Sequence, residues 1–147
     1  MSRTLCTRCL RPESHCLCAL IPFLSCRTRV VVLQHPSEAR HALNTARLAV
    51  LGLAGARRVV GEYFSPADWA EPGYAPRLLF PGPAADILHP GYGQDLDQPI
   101  QLIVPDGTWG HARKLLHINP ELAALPRVML PAGLTTVSYT HLRAHET

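Results

Sequence analysis

Four cysteines stand within thirteen residues near the N-terminus, spaced Cys6-x2-Cys9-x6-Cys16-x-Cys18. Thiolates are soft ligands, and a C-x2-C pair facing a C-x-C pair lets four sulfurs converge on one tetrahedral zinc. Pro12 and Ser14 favour a turn that brings the two halves together. Such a metal would staple a segment poor in core residues, because its binding energy becomes folding energy. Four protein sulfurs leave no open coordination position, so the ion would be structural rather than catalytic. His15 lies inside the cluster and is an alternative to one sulfur. Two disulfides, or simply reduced thiols, are the competing readings. A redox C-x-x-C fits least, since no strand precedes it. The fifth cysteine, Cys26, is expected to be a small buried residue.

The second chemical signal is Asp106-Gly107-Thr108-Trp109. A carboxylate between a strand end and a helix N-terminus can accept backbone N–H bonds, act as a base or anchor a ligand. Thr108 can cap the helix or bond a ligand, and Trp109 offers a flat face to a nucleobase or an aromatic cofactor ring. The same residues also read as an ordinary turn, a helix cap and a core tryptophan. His111, Arg113 and Lys114 follow on the first turns of that helix, with His117 beyond them. They can hold phosphates or a carboxylate, or form a solvated face.

Gln34-His35-Pro36-Ser37-Glu38, with Arg40 and His41, is a second polar cluster at a strand end. His35 there reads equally as an acid/base group or as a hydrogen-bonded structural histidine before proline. No G-x-G-x-x-G, G-x-x-x-x-G-K-[ST] or G-x-S-x-G occurs, so dinucleotide, P-loop and serine-hydrolase readings lose their main support. His141-x3-His145 has zinc-finger spacing but stands more than 120 residues after Cys18, too far for a C2H2 finger.

The elements that must position these groups follow from hydrophobic periodicity. Arg29–Leu33 is an apolar, β-branched run that predicts a buried strand. From Ser37, a plausible N-cap, apolar positions recur at helical spacing to Leu53, with Gly52 and Gly55 as stop signals. Arg58–Val60 predicts a second strand, Arg77–Phe80 a third and Ile100–Val104 a fourth. A short helical turn is expected at Ala84–Leu88, a helix from Thr108 to His117 and a last strand at Arg127–Leu130. Strands alternating with helices predict an α/β domain with a mostly parallel sheet. Ligands in such sheets bind outside the carboxyl ends of strands, which here selects Gln34–Ser37, Phe80–Pro83 and Pro105–Trp109.

The 147 residues carry 14 Lys+Arg against 11 Asp+Glu, a net charge of +3, and 47% hydrophobic residues. That composition excludes a disordered tail and fits one domain. No apolar run approaches the roughly 20 residues of a membrane span, and the N-terminus lacks a secretory core. A cytoplasmic protein without membrane association is expected, and no protein partner can be inferred. Fourteen prolines, about twice the usual share, mark the loops at the strand ends.

Taken in order, these motifs resemble the DTW-domain family. The resemblance rests on Cys6-x2-Cys9-Leu-Arg-Pro-x3-Cys16-x-Cys18, on Thr28 through Arg47 with its Gln34-His-Pro-Ser-Glu core, and on Leu79-Phe-Pro-Gly82. Asp106-x-Thr108-Trp109 with Ala112-Arg-Lys114, and Gly133-Leu-Thr-Thr136, complete it. It is similar to the bacterial tRNA-uridine aminocarboxypropyltransferases. The resemblance implies transfer of the 3-amino-3-carboxypropyl group of S-adenosylmethionine to N3 of a tRNA uridine. It also implies a SPOUT-related α/β fold with a C-terminal knot.

Asp106, Thr108 and Trp109 would be catalytic; Gln34, His35, Pro36, Ser37, Phe80, Pro81, Gly82, Asp106 and Gly107 would hold the co-substrate. Arg40, Arg113 and Lys114 would meet the RNA, and Cys6, Cys9, Cys16 and Cys18 the zinc. Arg3, Arg8, Arg11, Arg27 and Arg29 would add positive charge for tRNA, with salt-sensitive affinity. A non-catalytic zinc-containing RNA-binding module and a SPOUT-type RNA methyltransferase are the alternatives.

The chain departs from the family after Thr136. Val137–Thr147 looks like a translated sequencing-adapter read-through, so a native C-terminal segment, including the knot, is expected to be missing. The expected organisation is a Cys-rich zinc lobe over 1–26, the α/β domain over 27–136 and a non-native tail over 137–147.

Overall fold

Val30 to Leu33 are β-branched or apolar without alternation, the pattern of a strand covered on both faces. The computed structural model, which describes residues 4–39 and 45–132, places them in β1 (Arg29–Gln34), with Val31, Val32, Leu33 and Gln34 all buried. The chain continues through α1 (Pro36–Ala39), α2 (Thr45–Gly52), β2 (Arg57–Val60), α3 (Pro66–Trp69), β3 (Ala75–Leu79) and β4 (Asp86–Ile87). It then forms β5 (Ile100–Asp106), α4 (Trp109–Ile118), α5 (Pro120–Ala123) and β6 (Arg127–Met129). Among the described residues the strands form one sheet in the order β2-β1-β5-β3-β6-β4, with every pairing parallel. The protein is therefore α/β with a mostly parallel sheet.

The order has a consequence for function. From β1 the chain leaves outward to β2, whereas from β5 it leaves in the opposite direction, past β3 to β6. The β1/β5 boundary is thus a topological switch point, where two loops part and leave a crevice at the strands' carboxyl ends.

One face of the sheet carries the main core. Val31, Leu33, Leu78 and Ile103 meet Leu115 and Leu116 of α4, Leu122 of α5, and Phe64 and Trp69. Each fully buried Leu or Ile contributes about 1.5–3 kcal/mol. α4 forms because Ala112, Leu115 and Leu116 recur at helical spacing and Thr108 caps its start.

Three local expectations are corrected, and one short helix joins those expected. The first helical segment starts at Pro36, not after a Ser37 cap, because proline's fixed φ suits a first helical position. The Ser37 hydroxyl instead meets His35. Residues 40–44 of the expected helix, Arg40 and His41 included, lie outside the described residues. Residues 84–88 do not form a helical turn; Asp86–Ile87 pairs with β6 as an edge strand, and Leu88 N–H bonds the Met129 carbonyl at 2.9 Å. α3 went unpredicted, although Ser65-Pro-Ala-Asp68 carries a capping box and a proline in the first turn. Cys26 is exposed rather than buried, its thiol donating to the Thr28 carbonyl at 3.1 Å.

The expected C-terminal features, Gly133–Thr136, the knot and the 137–147 tail, lie outside the described residues, as does Arg3. Among the described residues, no helix is long and apolar enough to cross a membrane.

Candidate functional site

Gln34 and Asp106 end β1 and β5 and stand opposite one another in the parallel register. Gln34 is fully buried, and a buried amide must find partners for both its ends. Its Nε2 donates to Asp106 Oδ2 at 2.8 Å, while its Oε1 accepts from Arg58 Nη1 at 3.1 Å. The guanidinium fixes which end of the amide is the acceptor, so the donor end faces the carboxylate. Beyond this pair the ladder closes with His35 N–H on the Asp106 carbonyl at 3.3 Å.

His35 is hydrogen-bonded on both sides. Its Nδ1 accepts the Ser37 backbone N–H at 3.1 Å and lies 2.7 Å from Ser37 Oγ. A backbone N–H can only donate, so Nδ1 is an acceptor and Nε2–H donates to Glu62 Oε1 at 3.0 Å. The ring stacks face to face on His111, with centroids 3.9 Å apart and planes within 4°. His111 Nδ1 is buried without a partner among the described residues. Burial, and then the charge of His35, hold the His111 pKa below the ordinary imidazole value.

The second wall is set by Asn119, which ends α4 and starts α5. Its Oδ1 accepts Phe64 N–H, and its Nδ2 donates to the carbonyls of Glu62 and Leu115, each at 2.8 Å. That knot ties the loop after β2 to α4 and places Glu62 between His35 and Lys114, whose Nζ lies 3.8 Å from Oε1.

Thr108 Oγ1 accepts His111 N–H at 3.2 Å as the cap of α4. Gly107, at φ +151°, lies so near His111 that a Cβ would come within 3.0 Å of the histidine's own Cβ. Trp109 is 7% exposed and packs edge-on against Phe80, 5.3 Å between centroids. The indole therefore sits in the core rather than presenting a free face. Phe80, Pro81 and Gly82 leave the neighbouring strand β3 half-buried. Arg127 lies 5.4 Å over the Phe80 ring and Arg113 5.7 Å over Trp109, so two guanidiniums flank the aromatic pair. Arg113 and Lys114 are exposed on α4.

The fold thus gathers Gln34, His35, Pro36, Ser37, Asp106, Gly107 and Thr108 around the switch point, with Phe80–Gly82 on the next strand. Arg58, Glu62, Asn119 and the partnership of His35 with His111 escaped sequence reading. Glu62 was findable, because Gly61-Glu62 also follows a strand's carboxyl end. Arg58 carried no signal beyond its place in an expected strand, and Asn119 none beyond standing before Pro120.

At the other end of the chain the four cysteines converge, all Sγ atoms within 4.8 Å of one another. Cys6 and Cys18 are 3.6 Å apart, and Cys9 and Cys16 3.8 Å. A regular ZnS4 tetrahedron with Zn–S of about 2.3 Å has S···S edges of about 3.8 Å. The cluster fits a metal such as zinc. All five cysteines are free, so the disulfide reading does not hold. His15 stands outside the cluster, its Nδ1 2.9 Å from Ser14 Oγ. Leu10, at φ +61°, makes the turn between the ligands and donates to the Cys6 carbonyl. Backbone N–H groups of Leu17 and Arg11 bring the Cys9 thiol down to about 6. Those of Cys9 and Arg8 lower Cys6, while burial pushes Cys18 up to about 12. The turns around Cys6 and Cys9 thus favour the thiolates that a metal requires.

Comparison with known proteins agrees with this architecture of motifs. The family model described as the DTW domain matches residues 3–147. The chain is similar to tRNA-uridine aminocarboxypropyltransferase A of Arabidopsis thaliana, 31% identical over 133 residues, covering 78% of this chain and 50% of the relative. It is also similar to tRNA-uridine aminocarboxypropyltransferase 2 of Drosophila melanogaster, 31% over 138 residues, covering 88% of this chain and 55% of the relative. The Mus musculus protein of that name is 32% identical over 131 residues, covering 83% and 44%. The chain spans about half the length of the curated relatives it matches. These relatives are eukaryotic, so the resemblance is not particular to bacterial enzymes. No solved structure matches the chain. With the family match running across nearly its whole length and its aspartate at the sheet's switch point, the chain belongs to the DTW domain family.

Proposed function

We propose that this chain transfers the 3-amino-3-carboxypropyl group of S-adenosylmethionine to N3 of a uridine in tRNA. The observation that carries the reading is the placement of Asp106. The family's aspartate ends β5 at the topological switch point, with its carboxylate bonded by a buried amide. The relatives' names, tRNA-uridine aminocarboxypropyltransferase, supply the reaction class.

The co-substrate would supply an electrophilic carbon bonded to a sulfonium, with methylthioadenosine as leaving group. Gln34–Ser37, Phe80–Gly82 and Gly107 are the residues that would hold it. Asp106 has two chemically sensible duties: accepting the N3 proton of uridine, or gripping the ammonium of the transferred group. Gln34 fixes the carboxylate's facing in either case. Thr108 holds the turn that leads from Asp106 into α4, and Trp109 backs the Phe80 wall from the core. Catalysis then consists largely of holding two reactants in line. Arg113 and Lys114 would contact RNA phosphates, joined by Arg40 and by the arginines of the cysteine lobe. Zinc in that lobe would be structural, and tRNA the macromolecular partner in the cytoplasm.

The deciding experiment supplies tRNA with S-adenosylmethionine labelled either in the carboxypropyl chain or in the methyl group. Carboxypropyl label on uridine is expected. Methyl label on the RNA would instead make the protein a methyltransferase. RNA binding with neither label transferred would make it a non-catalytic binding module.

A further inference from the structure

We infer that the stacked imidazoles of His35 and His111 are positioning residues for Asp106, locking the loop after β1 onto the start of α4 for as long as His111 is uncharged. This rests on the reading of Asp106 as the reacting or substrate-gripping carboxylate.

The need for a lock follows from topology. At the switch point the two loops part, and the last ladder bond between them is His35 N–H to the Asp106 carbonyl. Past that bond the ring stack joins the loop after β1 directly to the start of α4, 3.9 Å between centroids and coplanar within 4°, beside the bridge from His35 through Glu62 to Lys114. Each ring is tied to one partner of the Gln34–Asp106 pair. His35 directly follows Gln34, and its ring cannot turn without breaking its bonds to Ser37 and Glu62. The His111 Cβ leaves no room for a side chain on Gly107, the residue after Asp106, and the His111 backbone N–H is held by the Thr108 hydroxyl. The stack therefore couples the residues that directly follow Gln34 to those that directly follow Asp106.

The charge limit follows from what faces the pair. Glu38 comes from α1, Glu62 from the loop after β2, and Lys114 from α4 itself. His35 already spends its Nε2–H on Glu62 and its Nδ1 on the Ser37 backbone N–H. A proton added to His111 would place an N–H in a buried position with no acceptor among the described residues. Protonation of His111 would therefore part the loop after β1 from α4.

The test measures transfer of the carboxypropyl group to tRNA as a function of pH. His111→Ala removes the ring; kcat is expected to fall on the order of 100-fold, with the KM for tRNA unchanged, since a displacement near 1 Å at a reacting group has that effect. His111→Phe keeps a flat ring against His35 but cannot take up a proton. Its acid limb is expected to move to lower pH by roughly one unit. A wild-type kcat in His111→Ala, or an unmoved acid limb in His111→Phe, overturns the proposal.

Imidazole NMR titration of the same proteins needs no turnover, and so separates this proposal from the proposed reaction. If the wild type transfers nothing, the reaction is wrong, yet the pair is still judged by these spectra. His35 ring resonances that move as His111 takes up its proton, and stay still over that range in His111→Phe, support it. His35 resonances unmoved by the protonation of His111 overturn it.

Discussion

Gln34 and Asp106 close the ends of two adjacent parallel strands, and the fully buried amide of one donates to the carboxylate of the other at 2.8 Å. Arg58 holds the amide's other end. Gln34→Glu keeps the shape but turns a donor into a second carboxylate facing Asp106. Leaving buried groups mispaired costs about 1–3 kcal/mol, and the substitution is expected to lower unfolding stability by that amount. Urea denaturation checks it; a variant as stable as the wild type would mean that the amide does not hold Asp106.

Asp106→Asn separates chemistry from architecture. An asparagine oxygen can still accept from Gln34, so the fold and RNA binding are expected to persist. The loss of the charge removes both the proton acceptor and the ammonium partner. Carboxypropyl transfer should fall by about 10²–10⁴, the span typical of a general base. Filter binding of tRNA beside the transfer assay reads both quantities, and parallel loss of binding and transfer would point to a folding defect instead.

Asn119 makes three 2.8 Å bonds from a buried position, to Phe64, Glu62 and Leu115. Asn119→Ala is expected to cost about 3 kcal/mol, roughly 1 kcal/mol per bond. It should also release Glu62 from His35 and Lys114. Thermal unfolding gives the first effect, and the His35 imidazole resonances give the second.

The cysteine cluster predicts about one zinc per chain by elemental analysis, from four ligands for one tetrahedral ion. Strong chelation, or Cys9→Ser, should lower the melting temperature, because a metal that binds only the folded state stabilises it. Cys26→Ser, outside the cluster and exposed, is expected to change neither the metal content nor the melting temperature.

Much of this arrangement was legible from residue order. The apolar run before Gln34 and the one before Asp106 place both residues at strand ends, and parallel α/β sheets gather strand ends into one crevice. Cysteine spacing was informative because four soft ligands so close in sequence have few other joint uses. The rest depended on tertiary neighbours. Nothing local tells His35 that His111, seventy-six positions away, will lie flat against it. Trp109 looked free to stack on a base until Phe80 arrived from another strand to cover it. Asp86–Ile87 is polar and apolar in equal part, and only the open edge of β6 made it a strand. Cys26 lies on an exposed stretch before β1, where no packing partner draws it inward.

The His111 shift carries a sign that can be checked without RNA. Burial, then the facing His35, lowers its pKa in the folded protein, so the folded state resists a proton that the unfolded chain accepts. Unfolded histidine titrates near about 6.5. Between that value and the lower folded one, the unfolded chain binds more protons, and stability falls as pH falls. Above it the contribution is present in full. The melting temperature should therefore hold level on the alkaline side of about 6.5 and decline on the acid side. His111→Phe should lose the part of that decline due to this ring. Differential scanning calorimetry of both proteins across the range decides the matter: a wild-type melting temperature that rose on acidification, or a variant with an identical slope, would show that this half-buried imidazole does not contribute to the acid sensitivity of the fold.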